Sequence, residues 1–180
     1  ILSTIKKEKY EIRLIVWETR DVPLVDGTDV DIWVKVTWDP TGRPEDAVTK
    51  RTDVHHNSKT GWGSFNWRMK FVLEVPCDYP RLKFAIHDEG VIDDEIIGES
   101  SINLTRTVNK LWNEPNIEVP KTYITFKHPN MGDADRGILM FSMTILPLEE
   151  AEAEPVGESW DEPNENPFLK KPTAGRGIVA

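Results

Sequence analysis

Between Phe65 and Leu73 every second residue is large and apolar (Phe65, Trp67, Met69, Phe71, Leu73), while Asn66, Arg68, Lys70, Val72 and Glu74 fill the alternate positions. Side chains of a strand point to opposite faces in turn, so this period of two predicts a strand with one buried face. Ile32, Val34, Val36 and Trp38 alternate in the same way with Trp33, Lys35 and Thr37, and Leu82, Phe84 and Ile86 alternate with Arg81, Lys83 and His87. Further strands are expected at Glu11–Trp17, Ala47–His55, Glu99–Asn103, Tyr123–Phe126 and Gly137–Ile145. Turn-forming clusters separate them: Val25-Asp26-Gly27, Asp39-Pro40-Thr41-Gly42, Thr60-Gly61-Trp62-Gly63, Pro76 to Pro80, and Asn130-Met131-Gly132. About eight short strands at this spacing predict an all-β, antiparallel sandwich. One short helix is expected near Thr107–Trp112, and no internal repeat is visible.

A chain of 180 residues suits one hydrophobic core with some remainder. The remainder begins near Pro147. Residues 149–165 hold eight acidic side chains and no Lys or Arg, and five prolines fall from Pro147 to Pro172. Such a stretch has too little apolar surface to fold alone, so we expect three parts: a flanking segment 1–9, a domain 10–148 and an acidic, proline-containing extended linker 149–180. Eight of the 31 acidic and three of the 22 basic residues fall at or after position 149, so of the formal net charge of −9 the part before it carries −4. That balance argues against nucleic acid as a partner held by phosphate neutralisation. A lone cysteine, Cys77, forbids an internal disulfide and suits a reducing, cytosolic compartment. No apolar run approaches the ~20 residues that cross a bilayer, and the basic residues Lys6, Lys7 and Lys9 precede no signal-type apolar stretch.

The carboxylates are unevenly placed. Segment 23–34 contains Asp26, Asp29 and Asp31, segment 87–98 contains Asp88, Glu89, Asp93, Asp94 and Glu95, and neither contains a Lys or Arg. If the strands they join are neighbours, the two loops meet at one end of the sandwich and repel unless a cation intervenes. Ca²⁺ fits, because it takes 6–8 oxygen ligands at about 2.3–2.6 Å from flexible loops. Simple solvation of both loops is the alternative. Leu24 and Val25 precede Asp26, and Val91 and Ile92 lie inside the second loop. Apolar tips of this kind suit insertion among lipid headgroups once metal has neutralised the loops; the alternative is a tip folded back on the core.

Lys35, Lys50, Arg51, Arg68, Lys70 and Lys83 occupy strand positions that alternation turns away from the core, so they are candidates for one basic face that holds anionic lipid headgroups, a solvated sheet face being the alternative. Adjacent strand residues point to opposite faces, which keeps His55 and His56 from sharing one metal ion. Cys77 is followed by Asp78 and has no evident base, as an inert thiol would. With no phosphate loop, nucleophile elbow or zinc-type spacing, an enzyme is not expected.

These residues resemble a known family. Asp31-Ile32-Trp33-Val34-Lys35 opening a strand, with an acidic loop closing on Ile96-Ile97-Gly98-Glu99, is similar to a C2 domain over residues 10–148. Lys50-Arg51-Thr52-Asp53-Val54-His55, followed by Ser58, Gly61, Gly63 and Phe65-Asn66-Trp67-Arg68, resembles a stretch typical of ferlins. Trp160-Asp161-Glu162-Pro163-Asn164-Glu165-Asn166-Pro167, with Leu169 and Pro172, resembles the ferlin linker between the final C2 domain and the membrane-spanning helix. The resemblance implies an eight-stranded sandwich of the C2 type, one or two Ca²⁺ ions, and a non-enzymatic module of a tail-anchored protein on the cytoplasmic face of a vesicle or plasma membrane, acting in fusion, exocytosis or repair. It also implies metal ligands at Asp26, Asp31 and Asp88. At the next family position this chain has Gly90 with Glu89 beside it, and near the loop's end Asp94, or Glu95, must serve. His55 and Trp67 are expected to be packing residues. The partner expected is an anionic phospholipid membrane. The rival reading is a calcium-independent interaction module for other C2 domains or fusion proteins, with Trp33 and Trp62 as anchors.

Overall fold

The computed structural model describes residues 7–25, 27–90, 95–160 and 169–172. Among them nine strands form two antiparallel sheets. Sheet one runs in the order β5 (Gly63–Val75), β1 (Glu8–Arg20), β9 (Ile138–Pro147), β8 (Ile117–Thr125). Sheet two runs β3 (Val48–Arg51), β2 (Val30–Asp39), β6 (Arg81–Asp88), β7 (Glu95–Asn103), with β4 (His55–Ser58) also on β2. Helix α1 (Thr105–Lys110) lies where a short helix was expected, and α2 (Leu148–Ala153) follows β9 directly.

Alternation decides which faces meet. Ile12, Leu14, Val16, Met69, Phe71, Phe141 and Met143 of sheet one are buried opposite Val34, Val36, Trp38, Leu82, Phe84 and Ile86 of sheet two. Phe84 and Phe141 touch across the layers, ring centroids 5.6 Å apart. Each such side chain contributes on the order of 1.5–3 kcal/mol by leaving water.

Three departures from the sequence-based expectation have physical causes. The strand expected at 47–55 is two strands, because at Thr52 a side chain takes over half of the pairing: the Thr52 amide still donates to the Val34 carbonyl at 2.9 Å, but the Val34 amide goes to the Thr52 hydroxyl at 3.0 Å, which itself donates to the Asp53 carbonyl at 2.9 Å. Strand β8 starts at Ile117, well before Tyr123, and absorbs Pro120 in a register shift between Val119 and Thr122, the kind of place where a strand tolerates proline. The acidic tail, expected to be an extended linker, instead begins with α2 packed on β1 and β9. Arg13 caps this helix by donating to the Ala151 and Glu154 carbonyls at 3.2 and 2.8 Å, and Ala151, Val156 and Leu169 are buried. The described residues of the tail pack on sheet one.

Two positions hold the ends of the sandwich. At one pole Gly61 sits at φ +78°, and a Cβ there would lie 2.2 Å from the Val22 carbonyl oxygen. At the other, buried Asp39 accepts the Gly42 amide at 2.7 Å and the Lys83 ammonium at 2.8 Å. Lys83 holds the Asp39 carboxyl below its ordinary value, with burial opposing and the Gly42 amide adding to the effect. Gly61→Ala, which meets both a backbone clash and an unfavourable φ, is expected to cost at least about 2–4 kcal/mol in urea unfolding. Asp39→Asn is expected to cost about 1–3 kcal/mol at pH 7. Because the folded carboxyl titrates lower than the unfolded one, that cost is full above the unfolded value near 3.8 and shrinks as pH falls through the folded one, as urea midpoints at pH 7 and pH 2 will measure.

Candidate functional site

The register of β2 on β6 pairs Ile32 with Asp88, and that of β6 on β7 pairs Asp88 with Glu95. Three acidic positions are thereby brought to one edge of the pole: Asp31 just before Ile32, then Asp88, then Glu95. The Asp31 amide donates to Asp88 Oδ1 at 2.8 Å, and the Glu89 amide donates to the Asp31 carbonyl at 2.9 Å. Asp31 Oδ1 accepts the amide of Asn57, a residue held at φ +57°, at 2.7 Å. His56 Nδ1 lies 3.7 Å from the same oxygen. Asp88 is 4% exposed, while Glu95 stands in solvent.

The donor set is all hard oxygen, the type that suits Ca²⁺ rather than a softer metal. Asp31 and Asp88 are joined through the Asp31 amide, which donates to Asp88. Among the described residues no three His, Cys, Asp or Glu side chains gather as a metal centre. Glu89 leans the other way, its carboxylate 3.8 Å from the Arg51 guanidinium. Asp26, Asp94, Val91 and Ile92 lie outside the described residues.

Leu24 and Val25 correct the expectation of an inserting tip. Both are part-buried and packed against the core, tucked by a turn in which the Val25 amide donates to the Pro23 carbonyl and the Gly27 amide to the Leu24 carbonyl. Next to a core that offers apolar contact, these side chains fold back rather than project.

The six basic residues do not share one face, a second correction. Lys35 pairs with Arg51 on one side and Ala85 on the other, and Lys83 follows on the same outer surface of sheet two. Lys50, opposite Val36, spans instead to sheet one, where its ammonium meets the Lys70 carbonyl and Glu158. Arg68 and Lys70 point out from sheet one, but the tail lies over them, and Arg68 is 1% exposed. Trp33, expected as a free anchor, is 5% exposed within a column: the Arg51 guanidinium lies 3.7 Å above its ring and the His87 ring stacks below at 4.1 Å. Trp62 is also held, its indole N–H donating to Glu18 at 3.0 Å. His55 is fully buried against Phe65, as a packing residue would be.

Asn57, His56 and the Arg51–Trp33–His87 column were not legible as site components. The signal that could have found the column is cross-strand: the register places Trp33 opposite His87, but that register needs the pairing of two distant segments.

A C2 domain model matches residues 10–118. The chain is 40% identical over 184 aligned residues to Ferlin 2 of Tetrahymena thermophila, covering 98% of this chain and 11% of that protein. It is 33% identical to Ferlin 1 of Toxoplasma gondii, covering 99% and 12%, and 30% identical to human Myoferlin, covering 93% and 10%. The chain thus spans about a tenth of the length of these relatives. Among solved structures it superposes on a C2 domain of a plant Extended Synaptotagmin 1 with a TM-score of 0.52 at 19% identity, over 76% of this chain and 94% of that one. It also superposes on the calcium-bound pair of C2 domains of Extended Synaptotagmin 2 with a TM-score of 0.55 at 13% identity, over 83% and 54%. Similarity at that level speaks for the fold alone. Two antiparallel sheets, an acidic pole between β2 and β6, and the matched residues agree: the chain belongs to the C2 domain family, in the form found in ferlins.

Proposed function

We propose that this chain is a calcium-regulated membrane-docking C2 module of a ferlin-like, tail-anchored protein that acts in vesicle fusion, exocytosis or membrane repair. The observation that supports the reading is the hydrogen bond from the Asp31 amide to Asp88 Oδ1, which joins acidic residues of two distant segments at one end of the sandwich. Asp31 and Asp88, with Asp26 and Asp94 from the adjoining loops and Glu95 at the start of β7, are the residues that would hold one or two Ca²⁺ ions; Glu89, drawn toward Arg51, is the weakest of the set. Bound Ca²⁺ supplies positive charge where the loops alone repel an anionic surface.

The chain's own contribution is placement. The Asn57 amide orients the Asp31 carboxylate, and the Asp31 amide orients Asp88, so both oxygens are held before any ion arrives. Lys35 and Arg51, on the outer face of sheet two, would add attraction for anionic headgroups, on the order of 1 kcal/mol each near a charged membrane, whereas Lys83 is engaged by buried Asp39 at the opposite pole. Val91 and Ile92, which the sequence puts within the second acidic loop, are the remaining candidates for apolar contact; Leu24 and Val25 are engaged with the core.

Sedimentation with phosphatidylserine vesicles tests this. Capture is expected to rise at least tenfold in Ca²⁺ over chelator, and to return to the chelator level when Asp31→Asn and Asp88→Asn are combined. The amide oxygen of Asn still accepts the same backbone N–H groups, so the fold survives the exchange. Ca²⁺ at 100 times its Kd should raise the stability of the unaltered chain by about 2.7 kcal/mol in thermal melts. Equal capture in both conditions, with no change in melting, would favour a calcium-independent protein-interaction module instead.

A further inference from the structure

Sheet one carries a second arrangement that the acidic pole does not use. Alternation along β5 sends Arg68 and Lys70 to the side away from the core, where a strand at the edge of a sheet normally meets water. Arg68 is nevertheless buried, and what covers it is the chain's own tail. The Arg68 amide donates to the Ser159 carbonyl and the Ser159 amide to the Arg68 carbonyl, both at 3.0 Å, so the tail pairs with β5 as an added antiparallel bridge. Around this bridge the contacts are specific. Arg68 Nη1 donates to the Gly157 carbonyl at 3.2 Å, and Lys70 Nζ donates to the Val156 carbonyl at 2.8 Å. The Glu158 carboxylate accepts the Lys70 amide at 2.8 Å and the Lys50 ammonium from β3. Val156 is 2% exposed.

The contacts at 156–159 are thus met by cations of β5 and β3 and by the backbone N–H and C=O groups of β5. We propose that the edge formed by Lys50, Arg68 and Lys70 is a binding site for an acidic, extended peptide segment, filled here by residues 156–159 and able to take a like segment of another protein when this strap is displaced. Strand addition of this kind uses main-chain pairing for affinity and side-chain seats for specificity. Here the seats are a buried place for an apolar residue and, two residues on, a carboxylate position between the Lys50 ammonium and the Lys70 backbone amide. A phosphate group would use the cations but leave the paired N–H and C=O of Arg68 without their partner strand, which is why a peptide fits better than a lipid headgroup. Held in cis, the strap has the advantage of a high effective concentration, so a competing segment binds only when the strap is weakened. Glu158, with a side chain 41% exposed, is the point of weakness.

The proposal is independent of calcium, and its test needs none. In the full chain, Glu158→Lys should speed hydrogen exchange at the Ser159 and Lys70 amides at least tenfold, because an ammonium cannot accept the Lys70 N–H. A fluorescent peptide with the sequence of residues 152–160 should bind the Glu158→Lys chain at least tenfold more tightly than the unaltered chain, and the same peptide with Lys at its Glu158 position should not. Glu158→Gln, which keeps the shape of the side chain, should fall between. Unchanged exchange at Ser159, or a peptide that fails to discriminate the two chains, overturns the proposal. So does capture of phosphatidylserine vesicles in chelator by the Glu158→Lys chain while the peptide is ignored, which would make the strip a membrane site instead.

Discussion

Everything at the acidic pole depends on the antiparallel register of β2 on β6. Pairing Ile32 with Asp88 is required by the core, because Val34, Val36 and Trp38 must face the same interior as Ile86, Phe84 and Leu82. A slip of one residue would turn all of these apolar groups to water, a loss of many kcal/mol that no charge effect at the strand ends can match. The proximity of Asp31 and Asp88 is therefore imposed by hydrophobic burial from below. Their mutual repulsion is tolerated because backbone amides, from Asn57 and Asp31, already face the carboxylates.

The same burial sorts the cations. Alternation requires that Lys35, Arg51 and Lys83 lie outside sheet two and that Arg68 and Lys70 lie outside sheet one, two surfaces separated by the thickness of the core. Lys50 closes the open seam between them by reaching from β3 to β5. What reads along the chain as one basic set is three local arrangements with different partners: an exposed face, a strap seat and a seam. Arg51 does double duty, stacking on Trp33 while drawing Glu89 toward itself and away from the other carboxylates.

The tail gives the sandwich a direction. Glu158 lies by Lys70, Ser159 by Arg68 and Lys170 by Asn66, so these described residues of the tail meet β5 at points successively nearer Gly63. Arg13 and Asn116 tie α2 from the other side, through the Ala151 and Glu154 carbonyls and Glu150. The described residues of a segment whose composition alone looks incapable of order find on a sheet the partners that the segment lacks.

Period-two alternation, set by the geometry of a single strand, made the sandwich, most strand positions, the core residues and the division of loops from strands legible without coordinates. The motifs around Asp31, 50–68 and Ile96–Glu99 carried the family as well. Strand ends and the two strands within 47–58 were less legible, because the Thr52 hydroxyl, in place of its carbonyl, takes the amide of Val34, a residue 18 positions away. Whether Leu24 and Val25 project or tuck, whether Arg68 meets solvent or a strap, and which ring stands under Arg51 were decided only in three dimensions. Alternation says which side of a sheet a residue takes; what lies over that side depends on contacts between segments far apart in the chain, and local sequence holds no record of them.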